Sequence, residues 1–198
     1  MIVIVDYHCG NIKSIANMVD RLGYNVNISS KKKAVLDAEK VILPGVGNFE
    51  FAMESLAKLD LKEPLNDYVA SGRPILGICL GAQLMTKSSE ESSLPGFGWI
   101  EGTTKKFKVV DEGMKIPHMG WNQVTPVGDS RILQGITSED RFYFAHSYHF
   151  EIDAGTAANT RYGYQFVSAF EKNQVSGVQF HPEKSHKYGI KLLSNFLE

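Results

Sequence analysis

Gly77-Ile78-Cys79-Leu80-Gly81 places a cysteine between glycines where an apolar run, Ile75 to Cys79, gives way to a helical segment read over Ala82 to Thr86. G-x-C-x-G at a strand-to-helix junction is the thiol version of a nucleophile elbow, a turn so tight that a β-carbon on its flanks would clash. Such a turn presents its side chain at the carboxyl edge of a sheet, where open α/β sheets bind ligands. The partial positive charge at a helix start favours a thiolate there, and the N–H of Leu80 is placed to receive an oxyanion. The plain alternative is that Cys79 is a small buried hydrophobe, as most free cysteines are. Cys9 lacks such a setting and reads as a core residue at the end of the first apolar run.

A thiol nucleophile needs a base, and His181 stands out among the six histidines. It follows the apolar strand pattern of Val178-Gln179-Phe180 and precedes Pro182-Glu183. Residues two apart on extended backbone point the same way, so Glu183 can hold one imidazole nitrogen while the other faces a sulfur. Pro182 narrows the backbone freedom between them. Without Cys79, His181 would read as a strand-end histidine with no role.

The elements around these residues alternate. Ile2 to Val5 is a continuous apolar run, as in a strand buried on both faces, and Ile12, Ile15, Ala16, Val19 and Leu22 recur at helical spacing before Gly23. Val41 to Leu43 reads as the second buried strand, followed by helices over Phe49–Leu59 and Leu61–Val69. Lys31 to Lys33 reads as a solvated loop. Further on, Lys105–Val110, Asn122–Pro126 and Arg141–Glu151 are β-rich, and the chain closes with a strand over Val175–Phe180 and a helix over Tyr188–Leu197. The pattern predicts an α/β fold over residues 1–198, a single-domain three-layer sandwich around a mostly parallel sheet with an antiparallel extension.

Composition narrows the function classes. The 198 residues carry 21 basic and 22 acidic side chains, a formal charge of −1 that calls for no nucleic-acid partner. Asp6 ends the first apolar run well short of a membrane span or signal core, so no membrane association is expected. Two cysteines seventy positions apart make a disulfide framework a poor fit and the reducing cytoplasm the expected compartment. The scattered histidines suggest no metal site.

Taken together, Gly77 to Gly81 followed by Gln83, and His181-Pro182-Glu183, resemble the nucleophile and histidine–glutamate motifs of the class I glutamine amidotransferase family. Pro44-Gly45-Val46-Gly47 resembles that family's mobile oxyanion loop. The resemblance implies the flavodoxin-like fold of that class and a catalytic triad of Cys79, His181 and Glu183, with no cofactor. It implies an oxyanion site from Gly45, Val46, Gly47 and Leu80, and Gln83, His146, Ser147 and Tyr148 as residues that hold L-glutamine.

Gly10-Asn11, Ile116 to Asn122 and Phe180 to Ser185 are similar to the branch of the family that forms glutaminase subunits of imidazole glycerol phosphate synthase, in histidine biosynthesis. That resemblance runs from Met1 to Phe196 and implies a heterodimer with a (β/α)8-barrel cyclase subunit that receives the ammonia. Asn11, Trp121, Tyr143 and Lys184 would then face the partner or the ammonia gate. By residue type alone, Trp121 and Tyr143 are equally core aromatics and Lys184 a solvated charge. His8-Cys9 departs from the pattern of that branch, and Arg141 to Phe144 and Ser185 to Gly189 also resemble relatives that supply ammonia to a surface-sugar amidotransferase. That paralogous role is the alternative; a stand-alone hydrolase or a non-catalytic scaffold are readings of another class.

Overall fold

Residues 1–110 and 112–198 are described by a computed structural model. Its parallel half has five strands in the order β2 (Val26–Ser29), β1 (Ile2–Val5), β3 (Lys40–Leu43), β4 (Ile75–Ile78) and β13 (Val175–Val178). Beyond β13 the sheet turns antiparallel through β12 (Tyr164–Lys172), β10 (Tyr148–Ile152) and β6 (Ile100–Lys106), with β5 (Thr86–Ser89) parallel at the far edge. The strand β11 (Thr156–Tyr162) pairs with β12 and with the short β8 (Thr125–Pro126). A separate two-stranded sheet joins β7 (His118–Gln123) to β9 (Arg141–His146).

The buried strands divide the core into two layers by simple alternation. Ile2 and Ile4 of β1 pack on one face with α1 (Ile12–Arg21) and α6 (His186–Leu197), through Ile15, Val19, Leu192 and Leu193. Val3 and Val5 pack on the other with α2 (Lys32–Leu36), α3 (Phe49–Lys58) and α4 (Lys62–Ala70), through Val35, Ala52, Leu56 and Leu65. Each aliphatic side chain so enclosed stabilises the fold by about 1.5–3 kcal/mol against its exposed state. The sandwich read from the sequence is therefore the one formed.

Several local expectations change. Val41–Leu43 is a buried strand as expected, but a half-exposed strand that the sequence did not signal, β2, precedes it, and Lys32 and Lys33 begin α2 and are not in a loop. The segment expected to run as a helix from Ala82 to Thr86 is a short turn of helix, α5 (Leu80–Gln83), and Thr86 already begins β5. The strand expected at Lys105–Val110 lies over Ile100–Lys106, and Arg141–Glu151 is two strands broken at Ser147. The β7–β9 pair stands outside the main sheet, although all these segments were expected within it or its extension. Among the described residues no helix is long and apolar enough to cross a membrane.

Candidate active site

The strands β4 and β13 lie side by side in register, Gly77 opposite Gly177 and Ile78 opposite Val178. Whatever follows each strand must therefore meet at the same carboxyl edge. Cys79 follows β4, and Gln179 to Glu183 follow β13. A backbone hydrogen bond from Cys79 N–H to the Val178 carbonyl, 2.8 Å, locks the two exits together.

Cys79 occupies the cap of α5 with φ +52° and ψ −112°, a conformation that costs a non-glycine residue about 1–3 kcal/mol. The flanking glycines explain how the turn closes. A Cβ on Gly77 would lie 2.5 Å from the Ala82 Cα, and one on Gly81 only 1.9 Å from the Leu43 carbonyl oxygen. The elbow is thus pressed against the end of β3, and Cys79 is 5% exposed at its tip.

His181 and Glu183 are brought together as their spacing predicts. Nδ1 of His181 lies 2.8 Å from Oε1 of Glu183, and both side chains are almost fully enclosed, 2% and 1% exposed. A second donor to that oxygen is Asn11 Nδ2, at 2.8 Å. Burial opposes a charge on His181, but interaction with the Cys79 sulfur and with Glu183 outweighs it and raises the imidazole to about 10. Burial likewise raises the Glu183 carboxyl, and the His181 and Asn11 hydrogen bonds with the imidazolium charge overcome it, holding the group below its ordinary value. His181 is therefore held as an imidazolium between the Cys79 sulfur and the Glu183 carboxylate, the arrangement of base and orienter that a cysteine nucleophile needs.

These directions set a pH dependence of stability. His181 holds its proton more tightly folded than unfolded, so its stabilisation is complete below about pH 6.5 and is lost as pH rises toward about 10. Glu183 acts on the acid side: its contribution is present above the ordinary carboxylate range and is lost as pH falls below it. The thermal midpoint should fall on the alkaline limb, and Cys79→Ala, which removes one of the two partners of the imidazolium, should flatten that limb. Equal alkaline slopes in the two proteins would contradict the pairing.

The sulfur opens on a cavity of about 260 Å³. Its walls include Val46, Gly47, Leu80, Gln83, His146, Ser147 and Tyr148, so seven residues expected at the oxyanion or substrate line one space with Cys79. Gly45 does not line it. A Cβ there would meet the Gly81 nitrogen at 2.4 Å, so Gly45 pins the loop onto the elbow, while Val46 and Gly47 are exposed. The Tyr7 hydroxyl donates to the Pro44 carbonyl and anchors the same end of the loop. Cys9 is buried in the core, where burial pushes its thiol up.

The residues expected at a partner form a surface cluster. Trp121 and Tyr143 are cross-strand partners in β7–β9 with rings in edge contact, and the Lys184 ammonium lies 5.4 Å from the Tyr143 ring centre. Trp121 also stacks on His186 and is 39% exposed, so it is no core aromatic; its neighbour Met119 is 63% exposed. Asn11 is instead tied to the candidate triad through Glu183.

Several residues at the site, Gln179 and Glu91 among them, were not singled out by sequence reasoning. Gln179 is fully buried and points its Nε2 at the Cys79 sulfur, 3.7 Å away. Its i, i+2 relation to His181 was the available signal. Glu91 lines the cavity and accepts from the Phe49 N–H at 2.9 Å, capping α3 just past the Gly45–Gly47 loop; a carboxylate in a loop carries no such signal. Among the described residues no cluster of His, Cys, Asp or Glu could hold a metal ion.

The chain and its fold have clear relatives. The family model described as glutamine amidotransferase class-I matches residues 3–198. A Pseudomonas aeruginosa protein named imidazole glycerol phosphate synthase subunit HisH 2 is 44% identical, covering 100% of this chain and 99% of its own. The Methanocaldococcus jannaschii protein named imidazole glycerol phosphate synthase subunit HisH is 46% identical at the same coverage. Among solved structures, one described as a glutamine amidotransferase superimposes with TM-score 0.77 at 19% identity over 98% of this chain and 96% of its own. PurLQS from Thermotoga maritima gives TM-score 0.75 at 17% identity over 99% and 96%, and both share the fold. The chain belongs to the class-I glutamine amidotransferase family.

Proposed function

We propose that the chain is the glutaminase subunit of an imidazole glycerol phosphate synthase, one glutaminase domain over residues 1–198 that works in the cytoplasm docked as a heterodimer on a (β/α)8-barrel cyclase. The observation that carries the chemistry is the convergence of Cys79, the His181–Glu183 pair and a closed-sided cavity at one sheet edge. Full-length identity to proteins named as subunits of that synthase supports the pathway.

In the mechanism that follows, the Cys79 thiolate attacks the side-chain carboxamide carbon of L-glutamine. The N–H groups of Leu80 and of the Gly45–Gly47 loop receive the developing oxyanion, and Gln83 and His146 to Tyr148 hold the substrate. His181 gives its proton to the departing nitrogen as the C–N bond breaks, leaving a glutamyl thioester and ammonia. A water molecule, deprotonated by His181, then cleaves the thioester to glutamate and restores the thiolate. Glu183 holds the imidazole tautomer throughout, as an orienter does.

The cyclase would cover Trp121, Tyr143, Lys184 and the Asn11 edge, and the ammonia would leave beside them. Trp121 is an exposed aromatic group of the kind that dominates interfaces. Trp121→Ala should weaken docking by about 2 kcal/mol, roughly 30-fold in Kd, while the free chain keeps its thermal midpoint. Calorimetric titration with the cyclase measures this, and unchanged affinity would move the interface elsewhere.

A further inference from the structure

We propose that Gln179 is a positioning residue for the Cys79 sulfur, held in place by a chain of hydrogen bonds that starts on β7 at Asn122 and His118. The proposal rests on the glutaminase reading of Cys79.

The donor of each hydrogen bond is defined, and two runs of them converge on the Tyr148 carbonyl. His146 Nδ1 lies 2.7 Å from the Tyr148 carbonyl oxygen, which can only accept, so Nδ1 carries the proton and Nε2 is the acceptor. His118 Nδ1, 3.0 Å from that nitrogen, must then donate to it. His118 Nε2 in turn accepts from Asn122 Nδ2 at 3.2 Å, and the same amide donates to the Arg161 carbonyl at 2.9 Å. On the far side, Gln83 Nε2 donates both to the Tyr148 carbonyl, 3.1 Å, and to Gln179 Oε1, 3.0 Å. With its oxygen so engaged, the Gln179 amide can only turn its N–H toward the sulfur. A thiolate gains from such a donor, and the nitrogen also limits the directions the sulfur can take.

Burying this many polar groups among aromatic rings costs stability unless every one is paired, and apolar replacements would pack there as well. His118 is stacked between Phe144 and Tyr162, a setting in which phenylalanine would fit. Burial keeps both imidazoles uncharged, lowering His118 to about 4 and His146 well below its ordinary value, and a second proton on either would set two N–H groups head to head. Strand alternation gives the chain its outer end. Along β7, His118 and Asn122 face inward while Met119 and Trp121 face solvent, so the strand that offers the docking aromatics also anchors the hydrogen bonds leading to Cys79.

The test reads the sulfur directly. Iodoacetamide labelling of Cys79, followed by peptide mass against pH, requires no glutamine turnover, and kcat and KM are measured separately in the complex with the cyclase. Gln179→Leu should move the labelling midpoint up by about one pH unit, the size expected for one lost hydrogen bond to a charged acceptor. In the complex it should lower kcat roughly tenfold with KM changed less. Gln179→Glu, which sets a carboxylate beside the sulfur, should move the midpoint further in the same direction. His118→Phe keeps the ring stack and should give a smaller shift of the same sign. Folded Gln179 variants that label and turn over like wild type would overturn the role of Gln179, and a silent His118→Phe would overturn the part of the chain beyond Gln83. A complex without glutaminase activity but with the predicted labelling shifts would count against the functional reading alone.

Discussion

Cys79→Ala should lower glutamate release from glutamine by about 10³-fold or more, the loss typical of removing a covalent nucleophile, while the protein still folds. Only the sulfur is removed from a residue that is 5% exposed, and the elbow backbone is unchanged. The positive φ of Cys79 sharpens the test. Alanine there bears the same backbone strain as cysteine, whereas glycine does not, so Cys79→Gly should be more stable than Cys79→Ala by about 1 kcal/mol although both are inactive. Steady-state assays and thermal melts of the two variants check both halves. Retention of most of the wild-type rate in Cys79→Ala would remove Cys79 from the mechanism, and equal melting of the two variants would remove the strain.

The second large effect falls on stability. Gly81→Ala places a methyl group 1.9 Å from the Leu43 carbonyl oxygen and 2.8 Å from its carbon. Both are backbone atoms at the end of a central strand, so no side-chain rotation relieves the overlap, and either β3 or the elbow must move. The expected loss is about 3 kcal/mol or more, roughly 6–12 °C in the thermal midpoint of a chain of this size. The same shift would part the Gly45 loop from Leu80 and cut activity with it. Gly47→Ala is the contrast: no atom lies within 4 Å of its Cβ, so only its φ of +107° opposes the change, and the loss should be about 1–3 kcal/mol. A Gly81→Ala protein that melts and works like wild type would show that the elbow is not pressed on β3.

The parallel half of the fold was legible because its strands are buried on both faces and read as unbroken apolar runs, as at Ile2–Val5 and Val41–Leu43. Strand β2 escaped because Val-Asn-Ile-Ser at the sheet edge is half-exposed and shows no such run. The antiparallel half blurred for the same reason. Ile100–Lys106 buries few of its side chains, and polar residues such as Glu101 and Lys106 hid its true span. Helix α5 was misjudged because Ala82 to Thr86 is apolar enough for a helix, yet the chain at Thr86 is already paired with Ile100. The candidate site was easier to read, since its signals are local: a glycine-flanked cysteine, and a histidine two residues before a glutamate. Gln179 lay in plain view in the same segment, but its role depends on β4 lying beside β13, a contact between residues 100 positions apart. The His118–His146 pair depends in the same way on the cross-strand register of β7 and β9.

The glutaminase role and its partner are tested most directly by glutamate release from glutamine by this chain alone and then with an imidazole glycerol phosphate synthase cyclase subunit and its nucleotide substrate. The free subunit should be slow, and the loaded cyclase should accelerate it at least about tenfold, within the range of coupling between sites in other proteins. An unaccelerated chain whose Cys79 still takes a glutamine-like electrophile would contradict the cyclase partnership and favour a sugar amidotransferase as the acceptor of its ammonia.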